Sequence, residues 1–229
     1  MRFDGVVDLS TTFPQARYNP VMFRKSSYTK KEFYRGQHRS EHWYCDNMVY
    51  FITSRCRDKF PAFNSSKAQS IFWDRFGHYT AKYEFVPWVC TLMNNHYHFV
   101  GYAKKGENIG PMMRQLHGSI AKLVNDTLPE RYLPFWREKG NKDYFDGCLR
   151  DELQAMRASR YTVLQSVRAK LVRDWTTYAN TQVYLDLNRA IGRAAELKAF
   201  LYDVPYARYE KRRERYRANT WSINRPRQA

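Results

Sequence analysis

At 229 residues the chain is long enough for one well-cored domain with extensions, or at most two small ones. Lysine and arginine outnumber aspartate and glutamate 39 to 22, a net charge of +17 that points to a polyanionic partner. A hydrolase of small phosphoesters needs no such surface, and the lack of a long apolar run, a secretory signal or a lipidation motif argues against a membrane, so nucleic acid is the expected partner.

Residues 1–46 show no clear periodicity, contain Pro14 and Pro20, and run through a polar stretch from Arg24 to Lys31; they read as an N-terminal extension. His38, His42 and Cys45 lack the fourth ligand and the spacing of a closed zinc site. The four cysteines, Cys45, Cys56, Cys90 and Cys148, are scattered without paired spacing, which suits reduced thiols in a cytoplasmic protein. The 18 tyrosines and 6 tryptophans suit base stacking, although most such rings serve a core.

The first predicted strand is Met48 to Arg55, rich in β-formers and bounded by charge. Ser65 or Ser66 caps a helix through Phe72 and Phe76 towards Tyr79. Tyr83 to Leu92 reads as a strand despite Pro87, Asn94-Asn95 as a turn that exploits the tolerance of Asn for left-handed backbone, and Tyr97 to Ala103 as the returning strand. His96 and His98, at i and i+2, fall on one strand face, while Tyr97 and Phe99 face a core. Two imidazoles converging from a rigid strand pre-set a metal bite, although an isolated His-x-His pair also arises by chance.

Asn108 caps a helix whose apolar stripe runs Ile109, Met112, Met113, Leu116, Ile120, Leu123 and Val124, with Arg114, His117 and Lys122 on its other face. Pro129, Pro134 and Gly140 end it; Lys142 to Leu149 reads as a strand, and Asp151 opens a helix to about Val172. Tyr161 and Gln165 lie one turn apart on that helix. A phenol attacks a phosphodiester when a divalent cation polarises it, and a glutamine oxygen can complete a site of two imidazole nitrogens and one oxygen; the plainer alternative is a core tyrosine beside a solvated glutamine. Tyr144, in a predicted strand, and Tyr178, four before Gln182, are rival tyrosines. Beyond Trp175 the pattern weakens until a helix over Leu187 to Tyr202, followed by the basic, tyrosine-bearing tail Arg208 to Arg217. This order predicts an α+β sandwich, a small antiparallel sheet with helices packed on one face.

The run Met93-Asn94-Asn95-His96-Tyr97-His98, then Met112-Met113-Arg114-Gln115-Leu116, Asp143-Tyr144-Phe145, Leu149-Arg150-Asp151, Arg160-Tyr161, Val167 to Val172 and Asp174-Trp175, resembles the single-tyrosine His-hydrophobic-His (HUH) transposases. The REP-associated tyrosine transposases are the branch it is most similar to. The resemblance covers about residues 47–178 and leaves 1–46 and 179–229 as extensions. Asn94 stands where that branch commonly has proline, and Gln165-Ser166 where it has Asn-Pro; glutamine at that place is similar to the insertion-sequence branch.

The resemblance implies a ferredoxin-like catalytic domain that cleaves and rejoins single-stranded or hairpin DNA, REP-type palindromes among them, as monomer or homodimer in the cytoplasm. It implies Mg²⁺ or Mn²⁺ on His96, His98 and Gln165, and attack by Tyr161 to give a 5′-phosphotyrosine and a free 3′-hydroxyl. The alternative is a non-catalytic hairpin-binding protein derived from such an enzyme. Phosphate contacts are expected from Arg114, Lys122, Arg150, Arg157 and Arg160, and from Arg208, Lys211, Arg212 and Arg213 in the tail.

Overall fold

The computed structural model describes residues 45–136 and 143–200. Five antiparallel strands form one sheet in the order β4-β1-β3-β2-β5: β1 (Met48–Arg55), β2 (Phe85–Leu92), β3 (His96–Ala103), β4 (Tyr144–Cys148) and β5 (Thr181–Val183). Between them run α1 (Ser66–Lys82), α2 (Ile109–Asn125), α3 (Glu152–Val163) and the short α4 (Gln165–Arg168), with α5 (Leu187–Glu196) last. The succession β-α-β-β-α-β with inner order 4-1-3-2 is the ferredoxin-like arrangement, and β5 extends it beside β2.

Alternation along β1 and β3 decides what each face holds. Tyr50, Ile52, Tyr97 and Phe99 point to one face, where Phe72 and Phe76 of α1 and Met112, Leu116 and Ile120 of α2 complete a buried core. Ser65 caps α1 as expected, its hydroxyl accepting the Ala68 N–H at 3.1 Å, and the helix runs on to Lys82. Gly101 of β3 is packed so closely under β2 that a Cβ there would come within 2.5 Å of the Val86 carbonyl oxygen, next to the β2 irregularity between Pro87 and Val89.

The opposite face is covered too. Helix α3 lies across β1, β2 and β3 and packs against α5, so helices flank the sheet on both sides where the sequence pattern placed them on one. The reason is visible in β3, which is buried at every position after His96, the mark of a central strand closed from both sides.

Other boundaries also differ from the sequence expectation. The left-handed Glu84 (φ 53°) delays β2 to Phe85, and β4 is shorter than 142–149. The helix carrying Tyr161 is interrupted at Leu164, and its continuation stops after Arg168 with Lys170 left-handed (φ 59°), short of Val172. Lys198 (φ 52°) likewise ends the last helix before Tyr202, a residue outside those described. Since β5 belongs to the sheet, the sheet continues beyond residue 178. Almost all of the expected N-terminal extension (residues 1–44) and the basic tail lie outside the described residues. No described helix is long and apolar enough to cross a membrane.

Candidate active site

Strand β3 sets two imidazoles side by side. His96 is paired with Arg55 and His98 with Thr53 on β1, and the two rings meet edge to face with centroids 5.1 Å apart. The hairpin tip that precedes them is anchored through its carbonyls: Asn94 accepts the Phe63 N–H and Asn95 the Cys56 N–H, both at 2.8 Å. Neither asparagine is left-handed; the side chain of Asn95 matters instead. Its Nδ2 donates to the Lys59 carbonyl (3.0 Å), so its Oδ1 accepts from His96 Nδ1 at 2.6 Å. That fixes the tautomer of His96 and leaves its Nε2 lone pair open.

Burial, reinforced by the charge of Arg55, pulls the His96 pKa down to about 4, offset in part by Gln165, which accepts from the ring in its protonated form. Burial also pulls His98 down to about 3, with further contributions from His96, Arg55 and Arg168. Both rings are neutral at neutral pH, the form that binds metal. His98 Nδ1 is buried with no hydrogen-bond partner, and its ring stacks parallel on Phe51 at 5.8 Å.

Helices α3 and α4 bring the other two groups. Asp151 caps α3 by accepting the Gln154 N–H (2.8 Å). Ten residues on, Tyr161 stands edge-on to His98 at 5.1 Å and to Phe51 at 6.0 Å, and keeps 38% of its surface exposed. Gln165 is buried; its Nε2 donates to the Tyr161 carbonyl (3.1 Å), which turns its oxygen towards His96. With Nδ1–H of His96 committed to Asn95, the other ring nitrogen and the Gln165 oxygen are both acceptors. A divalent cation satisfies such a pair; the His98 ring lies 5.1 Å from that of His96 and its Nδ1 has no hydrogen-bond partner, so these three side chains fit a metal by donor chemistry. No group of three His, Cys, Asp or Glu suited to a metal occurs among the described residues. His38 and His42 fall outside them, and Cys45 is engaged with Cys148, whose hydrogen bond draws the Cys45 thiol down to about 7.

Beside Tyr161 opens a groove of about 510 Å³ with an apolar floor that includes Phe51, Leu149 and Leu164, and with Arg157, Arg160 and Arg168 along it. Arg157 and Arg160, two of the expected phosphate contacts, line this groove. Arg168 was missed as a contact: its guanidinium carbon sits 4.8 Å from the Tyr161 ring centroid. Its signal was available, since i and i+7 share a helix face. Arg150 precedes α3, its N–H bonded to Gln154 Oε1 at 2.6 Å, and does not line the groove. Arg114 and Lys122 are exposed on α2, which covers the opposite face of the sheet, so they do not flank this site. Arg208, Lys211, Arg212 and Arg213 lie outside the described residues.

The rival tyrosines are elsewhere. Tyr144 pairs with Ser54 on the core face and packs edge-on to His117 at 5.8 Å, behind the sheet from the histidine pair. The Tyr178 hydroxyl donates to the Leu92 carbonyl (3.1 Å), and Gln182 Oε1 accepts from Tyr184 (2.8 Å). His117, read from the sequence as part of a polar face, is buried: it links the Tyr97 hydroxyl to the Asp143 carboxylate while stacking on Trp136 at 4.2 Å. The residue between the two site histidines is thereby tied through α2 to the start of β4.

No protein-family model and no curated protein matches the sequence. Among solved structures, the chain is similar to a REP-associated tyrosine transposase bound to a REP hairpin, at 12% identity and a TM-score of 0.54, over 68% of this chain and 88% of that one. A candidate transposase from Deinococcus radiodurans aligns at 11% identity over 54% of this chain and 95% of its own, with a TM-score of 0.37, too low to bear on the fold. At this level the likeness concerns architecture, and it agrees with the sheet described above: the chain has the α+β fold of a REP-associated tyrosine transposase.

Proposed function

We propose that this protein is a metal-dependent, single-tyrosine DNA nuclease and strand transferase of the transposase type, acting on single-stranded or hairpin DNA in the cytoplasm. The observation that carries the reading is the convergence on one sheet face of His96, His98, Gln165 and a half-exposed Tyr161, beside an arginine-lined groove. His96, His98 and Gln165 would hold Mg²⁺ or Mn²⁺, which would supply Lewis-acid polarisation of the phosphodiester when bound.

The side chains do the rest. Tyr161 Oη attacks phosphorus, an O–P bond forms, the P–O3′ bond breaks, the phenolic proton passes to solvent and O3′ takes one up. The product is a 5′-phosphotyrosine and a free 3′-hydroxyl, and reversal of the step by a 3′-hydroxyl rejoins strands without an external energy source. Asn95 keeps the His96 ring oriented, Phe51 supports the rings of His98 and Tyr161, and Arg157 and Arg160 bind the backbone on either side of the cleaved bond. The fold neighbour holds a REP hairpin, and DNA of that kind is the first substrate to try.

Incubation with 3′-end-labelled hairpin DNA carrying single-stranded flanks, with Mn²⁺ or with chelator, tests the proposal. A labelled species that survives denaturing electrophoresis only when Mn²⁺ is present is the expected result. Hairpin binding with no adduct under any metal condition contradicts it and leaves the non-catalytic binder.

A further inference from the structure

Arg168 closes α4 two helical turns after Tyr161, which places both side chains on the same side despite the interruption at Leu164. Its guanidinium carbon lies 4.8 Å from the centroid of the Tyr161 ring. The side chain is exposed, lines the groove, and has no ion-pair partner among the described residues. By contrast, Arg57, Arg75, Arg131 and Arg193 each meet a carboxylate within 3.2 Å. An exposed guanidinium resting on an aromatic ring keeps its fork of N–H donors free at the edge, where they match two oxygens of a phosphate.

We infer that Arg168 is a catalytic residue, gripping the non-bridging oxygens of the phosphate that Tyr161 attacks. The inference rests on the proposed phosphotyrosine chemistry and adds to it a residue outside the metal set. As Tyr161 Oη closes on phosphorus, negative charge accumulates on the equatorial oxygens. A cation already stacked on the nucleophile is placed to meet that charge without rearranging. Arg168 remains protonated throughout, so it contributes electrostatics and alignment and moves no proton. Arg157 and Arg160 share the groove, but they carry other interactions within the protein.

The test is the single-turnover rate of adduct formation on a hairpin DNA whose cleaved phosphate has been mapped with the wild-type protein. Arg168→Gln is expected to slow it by about 10²- to 10³-fold, the usual loss on removing one donor to a developing oxyanion, with Arg168→Lys between. Equilibrium binding of the same DNA without metal should fall by only a few-fold. The deciding comparison uses a methylphosphonate at the mapped position, which lacks one charged non-bridging oxygen. There the gap between wild type and Arg168→Gln should shrink to less than about a tenth of its value on the phosphodiester, because the charge that Arg168 serves is gone. An equal gap on both substrates, or a wild-type rate for Arg168→Gln on the phosphodiester, overturns the role of Arg168 and leaves the phosphotyrosine chemistry standing. Failure of the wild-type protein to form any adduct overturns both.

Discussion

The His98 imidazole and the Tyr161 phenol meet edge to face, with centroids 5.1 Å apart and planes at 85°. Strand β3 and helix α3, far apart in sequence, therefore deliver a metal-binding type of side chain and a nucleophile type to one place. Phe51 touches both, stacked on His98 and edge-on to Tyr161, so the relative positions of the two groups are set by a three-ring contact on the sheet. A site that must hold a phosphate in line with a hydroxyl benefits from such rigid support.

Asn95→Ala tests how the proposed metal ligands are held. The substitution removes the acceptor for His96 Nδ1 while leaving both histidines and Gln165 in place. Mn²⁺ affinity measured by titration calorimetry is expected to drop by about 10- to 100-fold, the usual effect of losing a hydrogen bond that orients a ligating histidine. Unchanged affinity would mean that the ring is oriented by something other than Asn95.

Tyr97→Phe probes the support behind the histidine strand. Removing the hydroxyl leaves His117 Nε2 buried and unpaired, and Tyr97 itself is fully buried against Trp136 and Phe72. Urea unfolding should show a loss of about 1–3 kcal/mol, the penalty for a stranded buried polar group. A loss within error would mean that solvent reaches His117.

Salt dependence separates the two faces of the sheet. Arg157→Gln and Arg160→Gln should each flatten the slope of log K against log salt for single-stranded DNA by about 0.7, one phosphate contact apiece. Arg114→Gln and Lys122→Gln, behind the sheet, should leave it unchanged. The same assay weighs the tail, since deletion of residues 208–217 lowers the slope if the tail binds phosphates and leaves it alone otherwise. Slopes reduced only by the α2 substitutions would move the DNA path to the other face.

How much of this was legible depended on local signals. The bounds of β1, the cap of α1 and the inward-outward split of Tyr97 and Phe99 against His96 and His98 followed from composition and alternation. Strand β5 did not, because three residues carry no period, and Thr181-Gln182-Val183 is paired only because β2 offers an edge. Covering of the second sheet face was hidden by His98 and Thr91, polar residues that read as solvent-facing yet lie buried under α3. His117 sits at the flank of the α2 stripe, four after Met113, and its burial depends on Tyr97 and Asp143, partners that no local pattern announces. At the site, Tyr161 and Gln165 were readable from their spacing. Alternation in Asp143-Tyr144-Phe145 already turned Tyr144 towards a core, and the register of β4 on β1 places it on the core face.

The most direct measurement is the yield of covalent protein–DNA adduct, with Mn²⁺ and labelled hairpin DNA, from Tyr161→Phe beside Tyr144→Phe. Tyr161→Phe removes one oxygen from a ring whose contacts with His98, Phe51 and Arg168 are all made by the ring itself, so folding and DNA binding should persist. The account predicts no adduct from Tyr161→Phe at any Mn²⁺ concentration. Tyr144→Phe, altered on the far side of the sheet, should retain at least about half of the wild-type yield, because its hydroxyl lies outside the reacting groups. An adduct from Tyr161→Phe at wild-type yield, or its loss in Tyr144→Phe with folding intact, would contradict the account.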